Sequence, residues 1–326
     1  MTRNIQLIIN PYAGRGRSRK SLPSVLAALR TGLKVDQGEV DLQIQMTESP
    51  ADAKTRVLAA AERLQKDVDE SNPPALIVMG GDGMVSLGLN AVAGTPVRLG
   101  VIPAGTGNDF SRGTGLPLSL VGAVTGIVAG LERQLDLTQV KGKIAGGGKT
   151  RWVGSVVSTG YDALVNRRTN ARKFYLGSIG YGVDALVELA QFKPMNYRLV
   201  FDGVQRNEVA MLVAIGNAGY FGGGMQICPD ADPVDGLLDV TIIHPVPRRT
   251  LLKLLPQLYP GTFVTDPCVE RFRCRTAEVD GDQMFGMADG EELGNVPLSL
   301  TCVPEAVWLM GVKPGVTASA TAETND

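Results

Sequence analysis

Hydrophobic and polar positions fall into two regimes along this chain. Ile5 to Ile9, Val40 to Gln45, Ala75 to Met79 and Arg98 to Ile102 are short apolar or alternating runs bounded by polar or glycine-rich residues, and they predict strands. Between them, Ser21 to Leu33, Ala51 to Lys66 and Met84 to Val92 carry apolar residues at helical spacing. Gly115 to Leu131 carries no charge; Leu120, Val121, Val124, Ile127, Val128 and Leu131 share one helical face, which predicts a core-facing helix rather than a lipid span. Strand and helix thus alternate to about residue 133, the pattern of an α/β layer with parallel strands. Beyond it the chain reads as strands: Gln134–Ile144, Trp152–Thr159, Tyr197–Phe201, Glu208–Ile215, Leu237–Ile243, Val269–Val279 and Leu298–Val303. Tyr175–Phe192 and Thr250–Leu258 read as helical insertions. The expectation is α/β plus all-β, with the second domain a β-sandwich. Thr317–Asp326 reads as a small, polar, disordered tail.

The strand ends of the first part carry the distinctive chemistry. Ala75–Met79 breaks into Gly80-Gly81-Asp82-Gly83, and Arg98–Ile102 into Pro103-Ala104-Gly105-Thr106-Gly107-Asn108-Asp109-Phe110. Each glycine turn precedes a helix. Glycines let backbone N–H groups face a concavity, and a helix start adds orphan donors and positive dipole, so the arrangement suits phosphate. Asp82 and Asp109 make sense beside phosphate if a divalent metal lies between. One such turn can be purely structural; two in tandem, each ending in an acid, are hard to read that way. Asn10-Pro11-Tyr12-Ala13-Gly14 after the first strand is a further glycine turn. The basic run that follows, Arg15, Arg17, Arg19 and Lys20, reads as a solvated face, or as a basic lip near a triphosphate or anionic membrane.

Composition narrows the classes. The 326 residues are 44% hydrophobic with net charge −1, which suits one large or two medium domains and gives no basic field for nucleic acid. The four cysteines form no CxxC pair and there is a single histidine, His244, so zinc and redox motifs are not indicated and the cysteines read as buried, reduced thiols of a cytosolic protein. The apolar run of the N-terminus is too short for a signal peptide. Two acidic stretches stand out in the second part. Cys228 to Asp239 holds four acids within twelve residues, an acidic surface turn or a seat for a hard cation. Met287-Ala288-Asp289-Gly290-Glu291 is a common turn sequence that also places two carboxylates across a glycine, suited to taking a proton from an alcohol. Arg271, Arg273 and Arg275 recur at period two, a solvated face or a patch for anionic lipid headgroups.

GGDG followed by PAGTGNDF resembles the catalytic domain of the diacylglycerol kinase family, soluble bacterial lipid kinases related to sphingosine kinases and NAD kinases. The resemblance covers nearly the whole chain. It implies an α/β nucleotide-binding domain of NAD-kinase/phosphofructokinase-like type over 1–133, with 304–316 returning to it, and a β-sandwich over 134–303. It implies ATP and Mg²⁺ as cofactors and diacylglycerol as the phosphate acceptor, with phosphatidic acid as product; another lipid alcohol, a soluble acceptor such as NAD, and a nucleotide-binding regulator are the rivals. Nucleotide contacts would fall on Asn10, Pro11, Tyr12, Ala13, Gly14, Thr47, Gly80, Gly81, Asp82, Gly83, Met84, Val85, Ser86, Thr106, Asn108 and Asp109. Thr47 reads equally as a helix cap. Glu291 would be the proton acceptor, supported by Asp289 and by Asp82. Asp82, Asp109 and Asp136 would surround an active-site Mg²⁺. A structural Mg²⁺ would sit on the Asp235 side chain and the backbone oxygens of Asp232 and Leu237, although Val234 stands where the family carries an acid. Met84, Ser86 and Leu87 also depart from the family's Thr and Asn-Glu. The implied setting is cytoplasmic, peripheral at the inner membrane surface, without a transmembrane segment, with a homodimer left open.

Overall fold

The computed structural model describes residues 2–35, 40–69, 71–160 and 193–313. The helix read at Tyr175–Phe192 and the tail from Thr317 lie outside them. The chain divides into two compact units, residues 1–137 with 304–326, and residues 138–303.

The first unit is built on a parallel sheet. β1 (Arg3–Ile9) lies between β2 (Val40–Met46) and β3 (Ala75–Gly80); β4 (Arg98–Pro103) follows β3, and the end of β17 (Glu291–Met310) pairs with β4 through Leu309 and Met310. Helices α1 (Arg17–Gly32), α2 (Pro50–Lys66), α3 (Asp82–Val92), α4 (Asp109–Thr114) and α5 (Leu120–Val128) connect and cover these strands. β3 is buried along its whole length, as a parallel strand covered on both faces must be. Each fully buried Leu or Ile there and on β1 contributes about 1.5–3 kcal/mol. The chain leaves β1 to opposite sides of itself, so the switch point of the sheet lies between β1 and β3, at whose carboxyl edge ligands bind in open α/β sheets. At the opposite edge Glu132 pairs with Arg3 and Arg98, each at 3.2 Å.

Two expectations change here. Gly115–Leu131 is not one helix: Ser119 caps α5 by accepting the Gly122 N–H, and the helix runs only to Val128. Val121, read as core-facing, is 78% exposed. Gly126 explains the rotation, because a Cβ there would lie 2.7 Å from the Gly311 carbonyl oxygen. The helix therefore rests on its small residues. Secondly, the helix expected from Ser21 starts earlier: Arg17 to Lys20 form the first turn of α1.

The second unit is a β-sandwich with an extra layer. One antiparallel ladder runs β14 (Val269–Cys274), β13 (Leu238–Ile243), β10 (Leu212–Gly216), β7 (Val156–Gly160), β16 (Phe285–Ala288) to the start of β17. A second runs from the middle of β17 through β15 (Thr276–Gly281) and β8 (Met195–Phe201) to β9 (Val204–Ala210), while β5 (Glu132–Ile144) carries β6 (Thr150–Val153). Val213 and Ile215 of β10 enter the core that also takes Leu199, Leu298 and Leu300. Leu212 and Ala214 face the other way, under α6 (Arg248–Leu254) and the turns containing Leu258 and Phe263. The period-two alternation of a strand thus feeds two cores at once.

Candidate active site

The glycine loops of the first unit leave the sheet side by side. Beyond each strand the ladder continues by one bond: Asn10 N–H to Met79 at 2.9 Å, Thr47 N–H to Ile9 at 2.8 Å and Ala104 N–H to Gly80 at 2.7 Å. The loops then touch. A Cβ on Gly105 would lie 2.5 Å from the Cα of Gly81, and one on Gly14, whose φ is +59°, would lie 2.4 Å from the Ala104 carbonyl oxygen. Only glycine permits this approach.

Polar side chains lock the loops. Asp82, in the first turn of α3, accepts the Asn108 N–H at 2.8 Å and the Phe110 N–H at 3.4 Å. Burial nonetheless pushes its carboxyl above the usual aspartate range, against the pull of these donors. Asn108 (φ +55°) accepts the Gly105 N–H at 3.0 Å and donates to the Gly105 carbonyl at 3.3 Å. Asn10 accepts the Tyr12 N–H at 3.0 Å. Beside these loops lies a cleft of ≈ 400 Å³ lined by Ala104, Gly105, Thr106 and Asn108 on one side and by Arg17 and Lys20 of α1 on the other. The two cations belong to the run whose role was left open; their place in the cleft was not legible from spacing.

Several anticipated residues play other parts. Met84, Val85 and Ser86 are buried in α3, the Met84 side chain packs beneath Gly80, and the Met84 and Val85 N–H groups are taken by the Gly81 carbonyl at 2.9 and 3.2 Å. Gly83, in the same first turn, keeps an N–H the helix cannot pair internally. Thr47 is not the cap of α2: Ser49 accepts the Asp52 N–H at 3.1 Å, and Asp52 accepts the Glu48 N–H in return. Asp136 is buried and accepts the Glu305 N–H at 2.9 Å, pinning the returning chain. Among the described residues no three acidic, histidine or cysteine side chains gather as metal ligands do, so Asp82, Asp109 and Asp136 do not form the expected trio.

In the second unit, Asp289 and Gly290 (φ +52° and +78°) are the two-residue loop of the β16–β17 hairpin, with Ala288 paired to Glu291. Glu291 is 57% exposed and pairs with Arg151 of β6 at 2.8 Å, a partner no sequence signal indicated. The acidic turn is met by arginines. Arg271 pairs with Asp230, and Arg273 reaches Asp235 at 3.5 Å and Asp239 at 3.3 Å, so the charge of these two arginines is balanced by the turn itself. Asp235 also accepts the Leu237 N–H at 3.0 Å, and the Asp232 carbonyl accepts the Asp235 N–H at 3.3 Å. As placed, the Asp235 side chain and the Asp232 carbonyl, two of the groups expected to hold a structural ion, are engaged by the protein itself. His244 sits at 3.0 Å from Glu270, away from any nucleophile motif. Burial pushes the Cys228 thiol up to about 12, in keeping with an inert core cysteine.

A switch-point sheet with interlocked glycine loops, followed by a β-sandwich, is an architecture suited to holding phosphate at the carboxyl edge of the sheet. The diacylglycerol kinase catalytic domain matches residues 4–140, and the YegS C-terminal NAD kinase beta sandwich-like domain matches residues 155–311. The chain belongs to the diacylglycerol and lipid kinase family. A diacylglycerol kinase of Mycobacterium tuberculosis is 34% identical over 95% of this chain and 96% of its own length. A Stenotrophomonas maltophilia protein described as a YegS-like lipid kinase is 28% identical over 82% of this chain and 86% of its own. In fold, the crystal structure of a diacylglycerol kinase from Bacillus anthracis superimposes with a TM-score of 0.70 at 20% identity, covering 96% of this chain and 98% of that one. Yeast NADH kinase follows at 0.50 and 12%, covering 96% and 84%.

Proposed function

We propose that this chain is an ATP- and Mg²⁺-dependent lipid kinase that transfers the γ-phosphate to the free hydroxyl of diacylglycerol, giving phosphatidic acid. The observation that carries the reading is the close backbone contact of Gly14 with Ala104 and of Gly81 with Gly105, which holds three glycine loops side by side, next to a cleft lined by Gly105, Thr106, Asn108, Arg17 and Lys20. The diacylglycerol acceptor is taken from the names of the relatives.

In this reading the N–H groups of Gly81, Gly83, Thr106 and Gly107 serve the phosphates, while those of Asn10, Tyr12, Gly105 and Asn108 are spent on holding the loops, and Arg17 and Lys20 offset the phosphate charge. Asp82 and Asn108 act by holding the loops in register. Asp109, at the start of α4, is the carboxylate to hold the nucleotide's Mg²⁺, which supplies charge neutralisation to the transferring phosphoryl group. Glu291 takes the proton of the acceptor hydroxyl as its oxygen bonds to Pγ and the bond from Pγ to the ADP oxygen breaks. Arg151 fixes one carboxylate oxygen and leaves the other for that proton, while the Asp289-Gly290 turn sets the height of Glu291 on its strand. A second reading, phosphorylation of another lipid alcohol, is favoured by the YegS-like relative.

Purified protein with labelled ATP, Mg²⁺ and mixed micelles of diacylglycerol, set against sphingosine and lipid-free controls, tests the proposal. Labelled phosphatidic acid that requires both Mg²⁺ and diacylglycerol is expected. Label on sphingosine alone would move the acceptor to the second reading, and ATP binding without transfer to any acceptor would leave a nucleotide-binding regulator. Glu291→Gln is expected to keep ATP binding and lose ~10²–10⁴-fold in turnover. Full turnover in that variant would remove Glu291 from its role.

A further inference from the structure

The acidic turn of the second unit brings Asp230, Asp232 and Asp235 against the start of β13, where Asp239 points inward. The Asp239 side chain is only 7% exposed. Such a concentration of carboxylates is unstable unless positive charge lies among them. β14 supplies that charge through register: it pairs antiparallel with β13 so that Arg273 lies directly across from Asp239, and Arg271 across from Thr241. Arg273 then spreads over the turn. Its Nε approaches Asp239 Oδ1 at 3.3 Å, its Nη1 Asp235 Oδ2 at 3.5 Å, and its Nη2 donates to the Asp230 carbonyl at 3.2 Å. Arg271 closes the outer end on the Asp230 carboxylate.

We infer that the Arg273 guanidinium occupies the place of a structural divalent cation in this unit, so that its fold is complete without metal. Asp235, the one side chain such an ion would need, divides its oxygens between the Leu237 N–H and Arg273. A planar fork bridging two carboxylates and a carbonyl does the work of an ion with fixed ligand directions. Asp239 Oδ2, buried and with no hydrogen-bond partner, marks where a cation would enter if the guanidinium left.

The test uses the full chain without nucleotide, so its outcome is independent of the kinase reading. After dialysis against chelator, metal analysis of the parent protein is expected to find no stoichiometric Mg²⁺ or Ca²⁺, and its melting temperature should match that in millimolar Mg²⁺. Arg273→Ala should melt lower by roughly 5–10 °C. Added Mg²⁺ or Ca²⁺ should restore part of that loss in the variant only. A retained ion in the parent, or a fall in its melting temperature on chelation, would overturn the inference. So would an Arg273→Ala protein as stable as the parent and indifferent to metal. If that variant does not fold, the parent's metal content and chelator response decide alone.

Discussion

Asp82 shows how a residue recognised for one kind of chemistry can serve another. Its acid between glycines suggested a metal ligand, and the structure turns both of its oxygens onto backbone N–H groups of the next loop, Asn108 and Phe110. Sequence spacing cannot reveal this, because the partners lie 26 and 28 residues away and are backbone atoms. The ionised form accepts both bonds more strongly, yet burial raises the carboxyl pKa above the 3.8 of a free aspartate. The sign follows from linkage. The folded protein takes up this proton at higher pH than the unfolded chain does. Asp82's contribution to global stability is therefore full below 3.8 and fades as pH rises through the raised folded value. Loop order runs the opposite way, since a protonated carboxyl accepts these N–H bonds more weakly than a carboxylate does. Mild acidification is thus expected to weaken ATP binding before the protein unfolds. Asp82→Asn, which keeps one acceptor oxygen and turns an NH₂ toward the other N–H, should lose ~10–100-fold in ATP affinity and show no such pH dependence. Calorimetric titration of ATP across the acidic range checks both; a variant that binds as the parent does would return Asp82 to the metal or to no role.

Among the elements, the loops were legible as phosphate-suited, but for an incomplete reason. Their glycines were read as exposing N–H groups, whereas Gly81 and Gly105 are required by each other's backbone: neither has positive φ, and the constraint is contact alone. Clearances rank the expected damage. A Cβ on Gly105 meets the Gly81 Cα at 2.5 Å and the Asn108 Oδ1 at 2.8 Å, while one on Gly81 meets the Gly105 Cα at 3.2 Å. Gly105→Ala is therefore expected to cost about 1–3 kcal/mol of stability and to abolish tight ATP binding, with Gly81→Ala milder on both counts. Chemical denaturation and ATP titration of the two variants check the order, and equal effects would mean that φ/ψ freedom, not contact, selects these glycines. Strand positions read well wherever both faces are buried, as in β3 and β13, since continuous apolar runs carry that signal. They read poorly where a tight turn splits a run. Glu208–Ile215 is the end of β9 and all but the last residue of β10, and the Asp289-Gly290 hairpin hid β16 from the pattern altogether.

For the whole molecule, the order of elements alone distinguished an α/β part from a β part, because alternation of periods and its loss are long-range signals. The path of the chain was less visible. The strand read as ending at Val303 instead runs on from Glu291 to Met310, with a left-handed residue at Glu305 whose N–H Asp136 accepts. Its first residue is the proposed proton acceptor and its last pairs with the strand that leads into the Gly105 loop. Among the described residues no helix is long and apolar enough to cross a membrane. A kinase built this way, acting on an acceptor confined to a bilayer or micelle, must collect it from a surface, and its rate then follows the acceptor's surface concentration. With bulk diacylglycerol fixed, diluting it with inert detergent should lower the initial rate in proportion to its mole fraction in the micelle. Raising the total number of micelles at constant mole fraction should leave a saturated rate unchanged. A rate set by bulk concentration alone, or transfer to a water-soluble acceptor at equal efficiency, would place the acceptor among soluble alcohols and leave the nucleotide half of the proposal standing.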